Sequence, residues 1–319
     1  MLKYFTLLAD KIIYDLLNLK EGTKLASSSH FFIEDTTKIF FLMTIMIYII
    51  SFIRAGLDSE VVKDKLEGKH PFLGYLSGAV LGSITPFCSC SSIPLFIAFT
   101  KAKIPTGYTM SFLITSPMIN EVAVVLLWGM LGWKLTVMYI VSGILSGIIG
   151  GYFFDIIKSE RFIKDLSEEN AKIEKEIQGE ITIKKRHEYA LVEVIGIVKS
   201  LWKWIIIGVG VGALFHGYLP EKFISDIFSK KSWWTVPGVV LMGIPLYSSA
   251  TAVIPGIKAL IMKGLPYGTA IAFMMSTVAA STPEFVMLSK VMEKRMLVIF
   301  FFVLLFFFTT TGIIINLLF

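Results

Sequence analysis

Two cysteines stand one residue apart in ITPFCSCSSIP, residues 84–94, and the chain has no others. Cys88 and Cys90 lie between Pro86 and Pro94 in a long uncharged stretch. On a regular helix they would lie about 200° apart, whereas an extended segment turns both side chains one way. The flanking prolines favour extension. Two thiols facing one way bind a soft, thiophilic centre such as trivalent arsenic or a soft metal ion, because thiolate is the preferred ligand of soft acids. The pair is too small for a structural zinc site, which takes four ligands. It also bridges poorly, since a Cys-x-Cys disulfide is strained. The other reading of these residues is two buried cysteines acting as small hydrophobes.

Two carboxylates stand in apolar surroundings: Glu121 in ITSPMINEVAVVLL and Glu284 in STPEFVML. Each follows a Ser-Pro or Thr-Pro pair, Ser116-Pro117 and Thr282-Pro283, that suits an N-cap and a first helical position. Each is therefore expected near the start of a restarted helix, whose N-terminus favours negative charge. A carboxylate within a membrane is a candidate for proton or cation coupling, since its protonation can change with the side of access. A structural hydrogen bond, for Glu121 to its neighbour Asn120 or to another helix, is the alternative. Glu284 lies close to Lys290 and reads as the more peripheral of the two. Asn120, Ser116 and Thr282 are expected as neutral polar ligands. Lys258 and Lys263 read as snorkelling to an interface, and His216 as an exposed or capping residue.

A second interrupted stretch, GIPLYSSATAVIP at residues 243–255, brings Ser248, Ser249 and Thr251 where the first has thiols and serines. In hydrocarbon every backbone polar group needs a partner, so a Pro-flanked, serine-rich break is tolerated only where it is buried in protein or lines a cavity. Breaks are expected at Pro86, Pro94, Pro117, Pro245, Pro255 and Pro283. The competing reading has these prolines kink continuous helices while serine hydroxyls bond back to carbonyls. With Ser89 and Ser91, the three hydroxyl residues of the second stretch are expected to line a site opposite the cysteines. No P-loop, HExxH, GxSxG or dinucleotide fingerprint occurs, which disfavours an ATP-driven pump or a hydrolase. The chain reads as a transporter and not an enzyme, and no cofactor is expected.

The elements that must position these residues are transmembrane. Hydrophobic residues make up 55% of the 319 and charged residues 17%, too apolar for a soluble domain of this size. Eight hydrophobic elements are expected, near 38–53, 72–100, 105–130, 134–154, 191–217, 234–262, 266–289 and 296–318. The expected fold is therefore an all-α integral membrane protein of about eight transmembrane helices with Pro/Ser interruptions. Residues 1–37 read as an amphipathic interfacial segment, 38–154 as a first membrane half, 155–190 as a charged loop and 191–319 as a second half. The net charge of +6 resides in loops beside apolar blocks, which suits membrane lipid and not nucleic acid. Basic residues favour a cytoplasmic central loop. With eight full crossings, both termini would share that side.

The halves look duplicated. Placing Pro94 on Pro255 carries Pro105 onto Pro266, Gly107 onto Gly268, Phe112 onto Phe273 and Ser116 onto Thr277 without a gap, and Glu121 onto Thr282. Upstream, the Pro86 motif meets the Pro245 motif only after a shift of two residues. Interrupted helices in duplicated halves are how secondary transporters build a central site. Four crossings per half would make the copies parallel; one re-entrant element per half would allow inversion.

On TPFCSCSSIPL, SPMINEVAVVLL, the charged central loop, GIPLYSSATAVIP and STPEF, the chain resembles the predicted-permease family whose best characterised branch is the organoarsenical efflux permease. That resemblance implies proton-exchanging efflux of trivalent organoarsenicals, such as methylarsenite or aromatic arsenicals, across the cell membrane. It implies Cys88 and Cys90 as the arsenic-binding thiols. Members of other cargo share the cysteine motif, so a permease for another soft-metal or sulfur-containing cargo is the first alternative. A membrane anchor or redox subunit of a complex is the second.

Overall fold

The computed structural model describes residues 3–20, 23–54, 71–84, 89–101, 104–163, 183–218, 234–244, 250–262, 264–280 and 282–319. Among these the fold is helical, with one isolated β-bridge between Ile163 and Met292. The first half contains α2 (Lys24–Arg54), α3 (Pro71–Ile84), α4 (Ser89–Lys101), α5 (Thr106–Met118), α6 (Glu121–Leu131) and α7 (Trp133–Ile156). The second contains α8 (Ile183–Tyr218), α9 (Thr235–Gly243), α10 (Ala250–Met262), α11 (Tyr267–Ala279), α12 (Thr282–Val291) and α13 (Lys294–Leu318). A short α1 (Lys3–Asp10) and a π-helical turn (Lys11–Leu16) precede them.

The shift that carries Pro94 onto Pro255 also carries both ends of α4 onto those of α10, both ends of α5 onto those of α11, and the starts of α6 and α7 onto those of α12 and α13. The duplication is therefore one of architecture. It continues upstream of the interrupted stretches: Gly82 and Gly243 correspond, and each lies against the equivalent residue of the next long helix, Thr115 or Ser276. The two-residue offset between the Pro86 and Pro245 motifs is thus a local difference within the breaks.

Close approach of backbones fixes the packing inside each half. A side-chain carbon added at Gly151 would lie 2.5 Å from the Gly107 carbonyl oxygen, and one at Gly312 would lie 3.0 Å from that of Gly268. Only glycine lets α7 sit this tightly on α5, and α13 on α11. The α11 N-terminus is capped from α13, because the Gly268 N–H donates to Asn316 Oδ1 at 2.7 Å. At the equivalent place in the first half, the Tyr75 hydroxyl donates to Asp155 Oδ2 at 2.5 Å, tying α3 to α7.

Equivalent helices pack on one another antiparallel. Tyr48 of α2 meets His187 of α8, hydroxyl to Nδ1, at 2.7 Å, while Phe32 lies near Gly210 at the other end of the pair. Likewise Phe154 of α7 meets Phe300 of α13, with the rings tilted and their centres 6.2 Å apart, and Gly150 lies against Phe307. A two-fold rotation that reverses these helices therefore relates the halves.

The segment before the apolar run of α2 carries a polar cluster. His30 lies between Asp10, at 2.9 Å, and Glu34, at 3.4 Å. Thr6 donates to Glu34 at 2.8 Å and Lys38 at 2.5 Å. Burial pushes the Asp35 carboxyl up to about 6, Lys38 opposing and Glu34 adding to the rise. Burial acts on Glu34 in the same sense, but hydrogen bonds from Lys38 and Thr6 outweigh it and hold that carboxyl below its ordinary value.

Candidate functional site

The cysteine motif lies in sequence between two helices that both pack on α5 and run in opposite directions. α3 is parallel to α5, since Gly74 meets Tyr108 and Gly82 meets Phe112 and the Ser116 backbone. α4 is antiparallel to α5: Ser92 bonds Ser116, hydroxyl to hydroxyl, at 2.6 Å, and Phe99 packs edge-on against Phe112 with ring centres 5.4 Å apart. Both arms therefore meet α5 at Ser116. The expected element 72–100 is a hairpin, and residues 85–88, with Pro86 and Cys88, join its arms and lie outside the described residues.

Cys90 stands in the first turn of α4, and helix runs on through Pro94 to Lys101. This corrects the extended conformation expected from the prolines, as far as residues 89–101 are concerned. A proline at the sixth position of a helix removes one donor without ending it; here Pro94 has no N–H to give the Cys90 carbonyl. Its equivalent Pro255, in α10, likewise gives none to Thr251, the residue that corresponds to Cys90. Pro94 and Pro255 are therefore not breaks. The side chains of Ser89, Cys90, Ser91, Thr251 and Thr282 lie outside the described residues, as do all of Pro245, Ser248 and Ser249.

The second break falls at Ile119 and Asn120, past Pro117, which lies buried inside α5. Ser116 and Pro117 therefore end a helix, contrary to the N-cap and first position expected of them. Asn120 starts the next one: its side-chain oxygen accepts the Ala123 N–H at 3.4 Å and its carbonyl the Val124 N–H at 2.9 Å. Tyr139 of α7 spans the gap, donating to the Met118 carbonyl at 2.5 Å and accepting from the Asn120 N–H at 3.4 Å. The chain bends by 46° from α5 into α6. In the second half α12 begins at Thr282 itself, with Pro283 in its first turn, one position on from the expected N-cap and first helical residue.

The two carboxylates take opposite positions from those expected. Glu121, first residue of α6, is exposed. Glu284, read as peripheral, has 0% exposure in the first turn of α12. α12 packs against α4 of the other half, and reciprocally α6 packs against α10. Glu284 thus sits in a helix beside α4, and Glu121 in a helix beside α10. Among the described residues no three His, Cys, Asp or Glu side chains gather as a metal site would require.

Among the described residues, the Ser92–Ser116 hydroxyl pair and the Tyr139 bridge occur in the first half only. Ser92 and Ser116, each 0% exposed, correspond to Val253 and to Thr277, and Thr277 bonds back to Phe273 and Met274 carbonyls. Tyr139 corresponds to Phe300, which has no hydroxyl. Ser92 and Tyr139 were not among the expected site residues. Comparing the halves position by position for a lost hydroxyl is the signal that finds them.

Comparison with known proteins agrees with this architecture. The chain is 22% identical over 311 residues to the UPF0718 protein MJ0584 of Methanocaldococcus jannaschii, covering 78% of this chain and 85% of that one. Over 239 residues it is 19% identical to the UPF0718 protein YraQ of Escherichia coli, covering 70% and 62%. A Streptococcus mutans protein named as a two-component membrane permease complex subunit is 24% identical over 181 residues, 55% of this chain and 58% of its own length. No solved structure matches. The family model described as a predicted permease matches residues 24–317, from the first turn of α2 to the end of α13 and so across both halves and both breaks. The chain accordingly belongs to that predicted-permease family, and it is a membrane transport protein.

Proposed function

We propose that this permease exports trivalent organoarsenicals, capturing arsenic on Cys88 and Cys90 at the turn of the α3–α4 hairpin. The observation that supports this reading is the convergence of α3 and α4 on Ser116, next to the α5–α6 break. A methylarsonous acid and two thiols give a dithioarsenite: two As–S bonds form, two As–O bonds break, and two waters leave. Hydrolysis reverses the step and releases the cargo. Neither direction needs an oxidant. The Cys90 carbonyl and hydroxyls near Ser92 add neutral polar partners, and Ser248, Ser249 and Thr251 would face the cargo from the opposite hairpin. Asn120, Ser116 and Thr282 support the breaks, and Glu121 couples cargo movement to protons.

The same reading sets the topology. A 13-residue helix is about 20 Å long and cannot cross a hydrocarbon core of about 30 Å. Each α3–α4 or α9–α10 hairpin therefore enters and returns. Each half then crosses three times, through the long first helix, the bent pair and the last helix. An odd number of crossings is what antiparallel equivalent helices require. The charged stretches 55–70 and 164–182 cannot cross lipid, so the termini lie opposite the central segment and not with it, as four crossings per half would demand. Lys158, Arg161, Lys184, Lys185, Arg186, Lys294 and Arg295 gather at the central segment's side, which makes that side cytoplasmic.

A second reading draws on the streptococcal relative's name: a complex subunit moving a sulfur-containing or soft-metal cargo. An efflux-deficient host expressing the chain separates the two when challenged with organoarsenicals, antimonials, copper and thiosulfate. Tolerance of trivalent organoarsenicals should rise at least tenfold and be lost in C88S/C90S. Tolerance of copper or thiosulfate alone would favour the second reading.

A further inference from the structure

α7 and α13, which meet across the two halves, are among the described residues the helices long and apolar enough to cross a membrane unbroken. On one flank they touch through Phe154 with Phe300 and Gly150 with Phe307. On the outer flank they leave an apolar groove of about 400 Å³ with one wall from each half: Ile149 and Phe153 of α7, and Val298, Phe302, Phe306 and Phe307 of α13. That volume lies within the range of ligand-binding clefts. From Val298 to Phe306 the groove follows a helical rise of about 12 Å, close to the depth of one hydrocarbon leaflet, about 15 Å. It therefore runs from the head-group level of one leaflet toward the midplane, which is the course of an acyl chain.

The mouth of the groove is basic. Arg295 stands one turn before Val298 and Ile299 and two turns before Phe302, so it shares their face of α13; Lys294 precedes it, and both are exposed. The Glu293 N–H donates to the Phe162 carbonyl at 2.9 Å, and Ile163 pairs with Met292. These contacts bring the turn Ser159–Phe162, with Lys158 and Arg161, alongside the start of α13. Glu160 and Glu293 are outnumbered there by Lys158, Arg161, Lys294 and Arg295. Asp155 lies about 200° round α7 from Phe153 and instead accepts the Tyr75 hydroxyl of α3.

The shift that relates the halves puts Val141, Leu145 and Ser146 where α13 has Phe302, Phe306 and Phe307, and Trp133-Lys134 where it has Lys294-Arg295. Aromatic walls and a paired cationic mouth thus belong to one leaflet, that of the central segment. We propose that this groove is a lipid site, holding one acyl chain of an anionic phospholipid of that leaflet whose phosphate rests on Arg295 and Lys294. Arginine takes phosphate through its planar fork, and basic residues at a helix pair's cytoplasmic end favour lipids of net negative charge. A second copy of the chain, seated here about a two-fold axis along the membrane normal, would bring its own Arg295 to the same leaflet, cation facing cation. The lipid joins the halves along the seam where α7 meets α13. This rests on the membrane architecture and not on the identity of the cargo.

Native mass spectrometry of the full-length protein in detergent tests it, with phosphatidylglycerol and phosphatidylcholine of matched chains added at equal concentration. Each variant is first checked for folding by size-exclusion chromatography. The native chain should retain phosphatidylglycerol at least tenfold over phosphatidylcholine. K294Q/R295Q should bring that ratio below twofold. I149W and V298W, both at exposed positions, fill the groove and should remove the retained phosphatidylglycerol. Equal retention of the two lipids by the native chain, or retention of phosphatidylglycerol unchanged in the charge variant or in both groove variants, would overturn the proposal. So would disulfide-linked dimers of F302C, formed in native membranes in a C88S/C90S background, because they would seat a second copy on the groove. No transport is measured, so failure of the arsenical reading leaves this result standing.

Discussion

Asp35 shows how a single residue reports on its surroundings. Burial raises its folded carboxyl from 3.8 to about 6. Between those values the folded state holds a proton that the unfolded state has released. Stability therefore falls as pH rises through that window and stays at the lower level above it. Asp35→Asn should abolish this slope and raise stability above pH 6 by about 3 kcal/mol. Thermal melts in detergent between pH 4 and 8 check it; a constant offset between the two proteins at every pH would contradict the assignment. Sequence singles out Glu121 and Glu284 because charge in an apolar run stands out by itself. It could not rank them, since burial of Glu284 depends on α4 and α8, which are far away in the chain.

Helices illustrate a different limit. The prolines announced interruption, yet Pro94, Pro117 and Pro255 lie within helices, while the second break falls at Asn120. One missing N–H is survivable where neighbouring helices supply packing, and a capping side chain marks a start better than a proline marks a stop. The glycines carry packing that periodicity does not reveal. Gly312→Val should prevent folding, because even one added carbon lies within 3.0 Å of Val236, Ala272 and the Gly268 carbonyl. Gly129→Ala, with nothing within 4 Å, should leave the protein intact. Fluorescence-detected size-exclusion chromatography of the two variants separates a packing role from mere propensity; equal monodisperse peaks would contradict it.

For the whole molecule, the duplication was legible from matched prolines, glycines and phenylalanines, and the described residues of each expected apolar element are helical. Inversion was not legible, because a gapless alignment is the same for parallel and antiparallel copies. Only contacts such as Tyr48 with His187 and Phe154 with Phe300 distinguish them. Other long-range contacts, Ser92 with Ser116 and Phe99 with Phe112, turn the element 72–100 into two opposed helices, and α4 packs beside the carboxylate-bearing α12 of the other half. The most direct test is uptake of a trivalent organoarsenical into everted membrane vesicles energised by a proton gradient. Vesicles with the native chain should accumulate it, and vesicles with folded C88S/C90S protein should not rise above empty membranes. Equal uptake by the two would remove the thiols, and with them the arsenic chemistry, from the mechanism.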